Sequence, residues 1–341
     1  MASASSSISS SNDVFIRSFF AAALALLVLA TAIVRWPAAR WQMFDPEYGM
    51  WQAKAELLER MPSGSHVILG DSRLVAAYRP TQAPDLLSVN LAVGGGTPVE
   101  SYYLLKRLVD KGVAIPSMVI SFTPTHLTGY NSFHSRTLPF DVLKASELDD
   151  LVAFADGMPI FGKKPWELLT CRWQLPACFK PYYRYLVRPG RIEKNHAFEQ
   201  ATLDQKGWHL FGVDSPANMP EEAELTQFKP EPLVDRYLVR LLALAKTHHI
   251  KVTFFVPPLA EKAYWRIDPG YRQGFVAYLK TRLGDSAYVD AGPVPLNHMG
   301  DGSHVSEQGA AFATEILNDK VFRGKPSITP ERSDCEAHHG C

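Results

Sequence analysis

Five short apolar segments recur along the chain, and each is bracketed by a helical pattern. They are "HVILG" at 66–70, "LLSVNLAVGGG" at 86–96, "SMVISF" at 117–122, "KVTFFVPP" at 251–258 and "SAYVDAG" at 286–292. Their apolar runs are continuous rather than alternating, so both faces of each strand must be covered. The segments between them have the spacing of helices: "EYGMWQAKAELLERM" (47–61), "PVESYYLLKRLVDKG" (98–112), "LVDRYLVRLLALAKTHHI" (233–250), "PGYRQGFVAYLKTRL" (269–283) and "SEQGAAFATEIL" (306–317). Pro98 suits a first helical position and Gly112 a stop. Strands that alternate with helices specify an α/β fold, three layers deep, with a central and mostly parallel sheet.

In such sheets ligands sit beyond the carboxyl ends of the strands. The residues there are Gly70-Asp71-Ser72-Arg73, "GGGT" at 94–97, "TPTH" at 123–126, Pro257-Pro258, and "NHMGDGSHVSEQG" at 297–309. Together they supply a hydroxyl, glycines that bring backbone N–H groups close, and an aspartate three residues before a histidine.

Three of these stretches, "GDSR" (70–73), "NLAVGGGT" (90–97) and "DGSHVSEQG" (301–309), resemble the first, second and last sequence blocks of the SGNH, or GDSL, hydrolase superfamily. Their order and wide separation match as well. The resemblance spans about 66 to 320 and implies a flavodoxin-like SGNH fold. A second "GDS" at 284–286 leads into a strand instead of following one, and is set aside.

The residue types suit the chemistry the resemblance implies. A serine hydroxyl becomes a nucleophile when a base removes its proton. Ser72 and His304 are the candidate pair, and Asp301 is placed to hold the imidazole in one tautomer. The tetrahedral intermediate needs donors for its oxyanion. The Ser72 N–H is one, and alignment with the family's second block makes Gly95 another. The family's third block, Gly-x-Asn-Asp, is missing. "SFTPTHL" stands in its place, so Thr125 or His126, with Thr123 as a further alternative, is expected to supply the remaining donor. Asp71, Arg73 and Thr123 are expected to meet the substrate.

The start of the chain carries a second signal. Residues 1–14 are mostly polar and small and are expected to be disordered. "FIRSFFAAALALLVLATAIVRW" (15–36) follows, without charge from Ser18 to Val34, and Trp36 suits an interfacial anchor. That length approaches the roughly 20 residues of a spanning helix. A signal anchor leads. A cleaved signal peptide, with "ATA" at 30–32, and a buried soluble helix are the alternatives. Arg17 precedes the run and Arg35 and Arg40 follow it, so charge does not fix the orientation.

An anchor followed by an SGNH-like domain with an altered third block is similar to the membrane-anchored SGNH-type proteins of cell-surface polymer acylation, such as alginate acetylation and lipoteichoic-acid D-alanylation. That resemblance implies an inner-membrane anchor, a catalytic domain in the periplasm or otherwise outside the cytoplasmic membrane, a polysaccharide substrate and an integral membrane O-acyltransferase as partner. A lipid or small-ester hydrolase, or a non-catalytic partner with the same fold, are the alternatives.

The rest of the composition narrows the field. Lys plus Arg and Asp plus Glu both number 35, so the formal net charge is zero, which argues against a nucleic-acid partner bound through bulk charge. No Cys-x-x-Cys pair marks a structural zinc site, and no cofactor motif is present. Cys171 and Cys178 suit either a short-loop disulfide or two free thiols; Cys335 and Cys341 lie in a polar tail. The SGNH-like domain is expected over 41–321, with an insertion at about 129–227 and a flexible tail at 322–341. The insertion holds Trp166, Trp173, Trp208, Tyr182, Tyr183, Tyr185, Arg172, Arg184 and Arg188, which suit either a sugar-facing surface or ordinary packing. His248-His249 is expected to cap a helix, and His338-His339 to catch metal only adventitiously.

Overall fold

The computed structural model describes residues 7–34, 45–129, 131–164, 168, 190–211, 218–284 and 286–324. The chain divides into two compact units. One comprises residues 52–131 and 199–341, and it holds the sheet. Its strands are β1 (His66–Gly70), β2 (Ser88–Asn90), β3 (Ser117–Ser121), β4 (Lys251–Val256), β5 (Leu259–Ala260), β6 (Ala287–Asp290) and β7 (Pro293–Val294). Five of them form a sheet in the order β2-β1-β3-β4-β6, and all four pairings are parallel. β5 and β7 pair separately.

Among the described residues the helices are α1 (Ser7–Val34), α2 (Tyr48–Glu59), α3 (Ser72–Ala77), α4 (Pro98–Asp110), α5 (Pro124–Thr128), α6 (Ala145–Ala155), α7 (Arg191–Asp204), α8 (Pro232–Thr247), α9 (Glu261–Arg266), α10 (Pro269–Leu283) and α11 (Glu307–Leu317). The chain runs outward from β1 to β2, then crosses back to β3, β4 and β6. Right-handed crossovers therefore place α3 on one face and α4, α8 and α10 on the other. Packing agrees: α4 meets α8, where Tyr103 and Tyr237 share a buried hydroxyl–hydroxyl bond of 2.7 Å. α3 meets α11, where the Thr314 hydroxyl donates to the Ala77 carbonyl at 3.2 Å. β1 and β3, entirely buried apart from His66, form the centre.

Local sequence explains why α4 starts where it does. Pro98 occupies its first turn, and Thr97 and Glu100 form a capping box. Gly112, at φ 73°, turns the chain after Lys111. His248 caps α8 through its own backbone N–H, which donates to the Leu244 carbonyl at 3.2 Å.

The second unit comprises residues 1–51 and 132–198. Within it Tyr48 packs edge-on against Phe140 at 5.1 Å, Phe133 against Phe161 at 4.9 Å, and Arg136 pairs with Glu47 at 2.5 Å. α1 is the one helix, among the described residues, long and apolar enough to cross a membrane: its 12–30 stretch has mean hydropathy 2.0 and is exposed throughout.

Several boundaries differ from those expected. α1 begins at Ser7, so Ser7 to Val14 continue the helix; extending a formed helix is far cheaper than nucleating one. Residues 199–227, expected in the insertion, belong to the sheet unit, while 45–51 fall with the other. Trp208 is a structural residue: its indole N–H donates to the Ala76 carbonyl at 2.7 Å, and the Arg79 guanidinium covers its ring. Phe322 packs on His66 and Tyr78, and Arg323 pairs with Asp85 and Asp319, so neither is part of a loose tail. Trp36, Cys171, Cys178, Cys335, Cys341, His338, His339 and the remaining insertion aromatics and arginines (Trp166, Trp173, Tyr182, Tyr183, Tyr185, Arg172, Arg184, Arg188) lie outside the described residues.

Gly70 ends β1 at φ 148°, and a Cβ there would sit 2.0 Å from the Ser121 carbonyl oxygen on β3. Both the dihedral and the contact demand glycine. Gly70→Ala is expected to cost roughly 3 kcal/mol or more, as changes at strained, tightly packed backbone do. Chemical denaturation monitored by circular dichroism measures it; a loss below roughly 1 kcal/mol contradicts the account.

Candidate active site

The strand order reverses at β1 and β3, which is where open α/β sheets form a crevice. Ser72 follows β1 as the first residue of α3. Asp71 is that helix's N-cap, and its side chain accepts the Arg73 N–H at 3.0 Å. The cap fixes the turn, and so fixes the direction in which the Ser72 side chain leaves it.

His304 arrives from the other end of the sequence. Its loop is closed by a bridge between Met299 and Val305 and by the Gly300 N–H donating to the His304 carbonyl at 2.8 Å. Ser306 then caps α11, accepting the Gly309 N–H at 3.4 Å. Docking of α11 on α3 sets the distance between loop and serine. His304 Nε2 lies 2.8 Å from Ser72 Oγ, and His304 Nδ1 lies 2.7 Å from Asp301 Oδ2. The other Asp301 oxygen accepts the backbone N–H groups of Ser303 and His304, both at 2.7 Å. Burial alone would raise the Asp301 carboxyl, but the His304 bond and charge and these two N–H groups outweigh it and hold its pKa below the usual range. An ionised Asp301 accepts a hydrogen bond from a protonated His304 Nδ1. That leaves the Nε2 lone pair for the serine hydroxyl.

The glycine loop lies against the same turn. The Val93 N–H donates to the Gly70 carbonyl at 3.0 Å, and a Cβ on Gly96 would meet that oxygen at 2.5 Å. The Gly96 N–H is engaged by the Val93 carbonyl at 3.1 Å. Gly95, at φ 66°, is the least buried of the three glycines. Asn90, at the end of β2, ties this loop to α3 by donating to the carbonyls of Leu74, Val75 and Tyr78.

The expected substrate-facing residues sit differently. Asp71 is wholly buried, and both of its oxygens are used within the protein. One accepts from Arg73; the other accepts the Thr123 backbone N–H and bonds His126 Nδ1 at 2.9 Å. Burial pushes this carboxyl up, yet the His126 and Thr123 bonds prevail and bring it down to about 2. Arg73 is buried against Glu222 at 2.5 Å. Burial works against its charge; Glu222 first, then Asp71 and Asp301, more than compensate. Asp71, Arg73 and Thr123 therefore hold the loops together, and Asp71 and Thr123 are closed to a substrate. Thr125 and His126 are buried as well, and the His126 ring is oriented by Asp71.

Two neighbours were not anticipated from the sequence. Phe211 lies over the His304 ring at 4.5 Å, tilted 31°. Glu222 is the counter-ion of Arg73. Both fall in the stretch assigned to an insertion, where no periodic pattern signalled contact with the sheet. Among the described residues no group of three His, Cys, Asp or Glu side chains is arranged to hold a metal ion.

Among solved structures, the crystal structure of a GDSL-like lipase from Bacteroides thetaiotaomicron aligns with 82% of this chain and 100% of its own, at 11% sequence identity and a TM-score of 0.37. No family model and no curated protein matches the chain.

Because the folded Asp71 pKa of about 2 lies below the ordinary 3.8, Asp71 stabilises the fold fully above roughly pH 4, and that contribution fades as pH falls through about 2. The shift corresponds to about 2 kcal/mol. Asp71→Asn is expected to be less stable at neutral pH and to show a flatter loss of stability between pH 4 and pH 2. Urea denaturation across that range checks it; parallel pH profiles for the two proteins contradict it.

Proposed function

We propose that the chain is a serine-dependent O-acyl transferase or esterase working through an acyl-Ser72 intermediate. One observation carries this reading: an unbroken Ser72–His304–Asp301 hydrogen-bond chain built from residues 232 positions apart. Ser72 Oγ attacks the ester carbonyl while its proton passes to His304 Nε2. Asp301 stabilises the imidazolium that forms. The oxyanion is received by the backbone N–H groups of Ser72 and Gly95, with the loop of Thr123, Thr125 and His126 beside them. The tetrahedral intermediate collapses, the alcohol leaves with the proton from His304, and the acyl group stays on Ser72. An acceptor hydroxyl then attacks by the same steps in reverse. A sugar acceptor gives transfer and water gives hydrolysis.

The finer reading joins two features. The exposed apolar face of α1 supports a membrane tether. The order of "GDSR", "NLAVGGGT" and "DGSHVSEQG" supports an SGNH-type domain. Together they favour a cytoplasmic-membrane protein whose catalytic unit faces outward and acetylates, or otherwise acylates, an extracytoplasmic polysaccharide. A membrane O-acyltransferase would deliver the acyl group. The same tether also suits a lipid or small-ester hydrolase.

Full-length protein in detergent is expected to release p-nitrophenol from p-nitrophenyl acetate and to be labelled on Ser72 by a fluorophosphonate. Ser72→Ala and His304→Ala are expected to abolish both. Asp301→Asn is expected to lower kcat/KM by about 100- to 10,000-fold. Undiminished turnover in Ser72→Ala removes the serine from the chemistry, and an unmodified protein with neither turnover nor label leaves the non-catalytic partner as the reading. Mass spectrometry after incubation with an acyl donor checks for the acyl group on Ser72.

A further inference from the structure

A cavity of about 50 Å³ lies behind α3, past the carboxyl ends of β4 and β6. Its wall is largely apolar, with Val256, Ile267 and Phe275 contributing. Two polar atoms on that wall are buried without a protein partner: Glu222 Oε2 and the Tyr271 hydroxyl. Both residues are only 1% exposed. The other Glu222 oxygen is held by Arg73. A buried carboxylate oxygen and a buried phenol left unpaired are costly and rare, and they point to an occupant.

The chemistry of the two atoms describes that occupant. Glu222 Oε2 can only accept a hydrogen bond, whereas the tyrosine hydroxyl can donate one. A neutral hydroxyl answers both, accepting from Tyr271 and donating to Glu222. The charges on the wall are already balanced, Arg73 and Arg272 against Glu222 and Asp290, so a charged ligand would be left unpaired. The space is about four times what one water needs, and apolar walls do not hold extra water well. Carbon atoms fill it better.

We propose that this pocket binds a short aliphatic group bearing one neutral hydroxyl. The group comes either from a free short-chain alcohol or from the hydroxyl-bearing acyl chain of an ester substrate. The pocket stands on Glu222 and Tyr271; binding of a free alcohol is independent of the role of Ser72, whereas the ester source rests on the function proposed above.

The test compares 1-butanol with methyl propyl ether, which has the same number of non-hydrogen atoms and accepts but cannot donate. Binding to full-length protein in detergent is followed by saturation-transfer NMR. Val276→Phe, which fills the cavity from its half-exposed rim, supplies the background from detergent. The alcohol is expected to bind saturably and at least about 10-fold more tightly than the ether, as sites built around a hydrogen bond discriminate. Tyr271→Phe is expected to lose about 10-fold in alcohol affinity with its thermal midpoint largely kept. Equal binding of alcohol and ether overturns the proposal, because the hydroxyl then makes no difference; alcohol binding that survives in Val276→Phe overturns it, because the alcohol then sits elsewhere; an absence of saturable binding overturns it, because the cavity then holds water only. A second arm separates the two sources. A higher kcat/KM for p-nitrophenyl 3-hydroxybutyrate than for the butyrate, lost in Tyr271→Phe, assigns the group to the substrate. Saturable alcohol binding with equal kcat/KM for the two esters assigns it to a free alcohol.

Discussion

The site depends on a carboxylate that no substrate can reach. Asp71 is sealed from solvent and joins two backbone N–H groups and one side chain: Arg73 in the first turn of α3, Thr123 at the start of the loop after β3, and the His126 ring in α5. An ionised carboxylate survives burial only when its lone pairs are matched by donors. Here they are, and the carboxyl is stabilised as the anion despite its burial. The turn that presents Ser72 is therefore specified by the residue just before it. The loop facing it is held by the same group.

A second constraint is distance along the chain. Asp301 and His304 find each other within one tight loop, so their pairing is a local property. Ser72 meets them only because α11 docks on α3. That docking rests on the Thr314 hydroxyl at the Ala77 carbonyl, the Arg79 N–H at the Thr314 hydroxyl, and the Tyr78 hydroxyl at Asn318. These contacts are buried or half-buried and lie away from the reacting atoms. A change at Thr314 would act on the site through the placement of the imidazole, not through its protonation.

Much of this was legible in the sequence, for identifiable reasons. Short, mainly apolar runs marked the five sheet strands, because strands covered on both faces are built mostly from apolar residues; the buried polar residues among them, such as Ser88, Asn90 and Thr253, carry no such mark. The Asp301–His304 spacing was readable because it is short. Tertiary roles were not. Asp71 and Arg73 looked like substrate groups because charged residues beside a nucleophile usually face solvent; only the fold reveals the donors that allow them to be buried. Glu222 and Phe211 come from irregular backbone, where neither period 2 nor period 3.6 marks a buried face. The start of α1 was also missed, since a polar serine run carries no helical period even when an adjoining apolar helix extends into it.

Arg73 links these observations electrostatically. Its guanidinium pairs with Glu222 and lies within the field of both Asp71 and Asp301. One buried cation therefore offsets three acids that serve different ends: the cap of α3, the orientation of His304, and the wall of the cavity. Without it, Glu222 would be an uncompensated buried charge. The carboxylate on the cavity wall is thus held in place by the arginine that follows Ser72. The residue next to Ser72 also lines the cavity, and the helix that presents Ser72 forms part of its boundary.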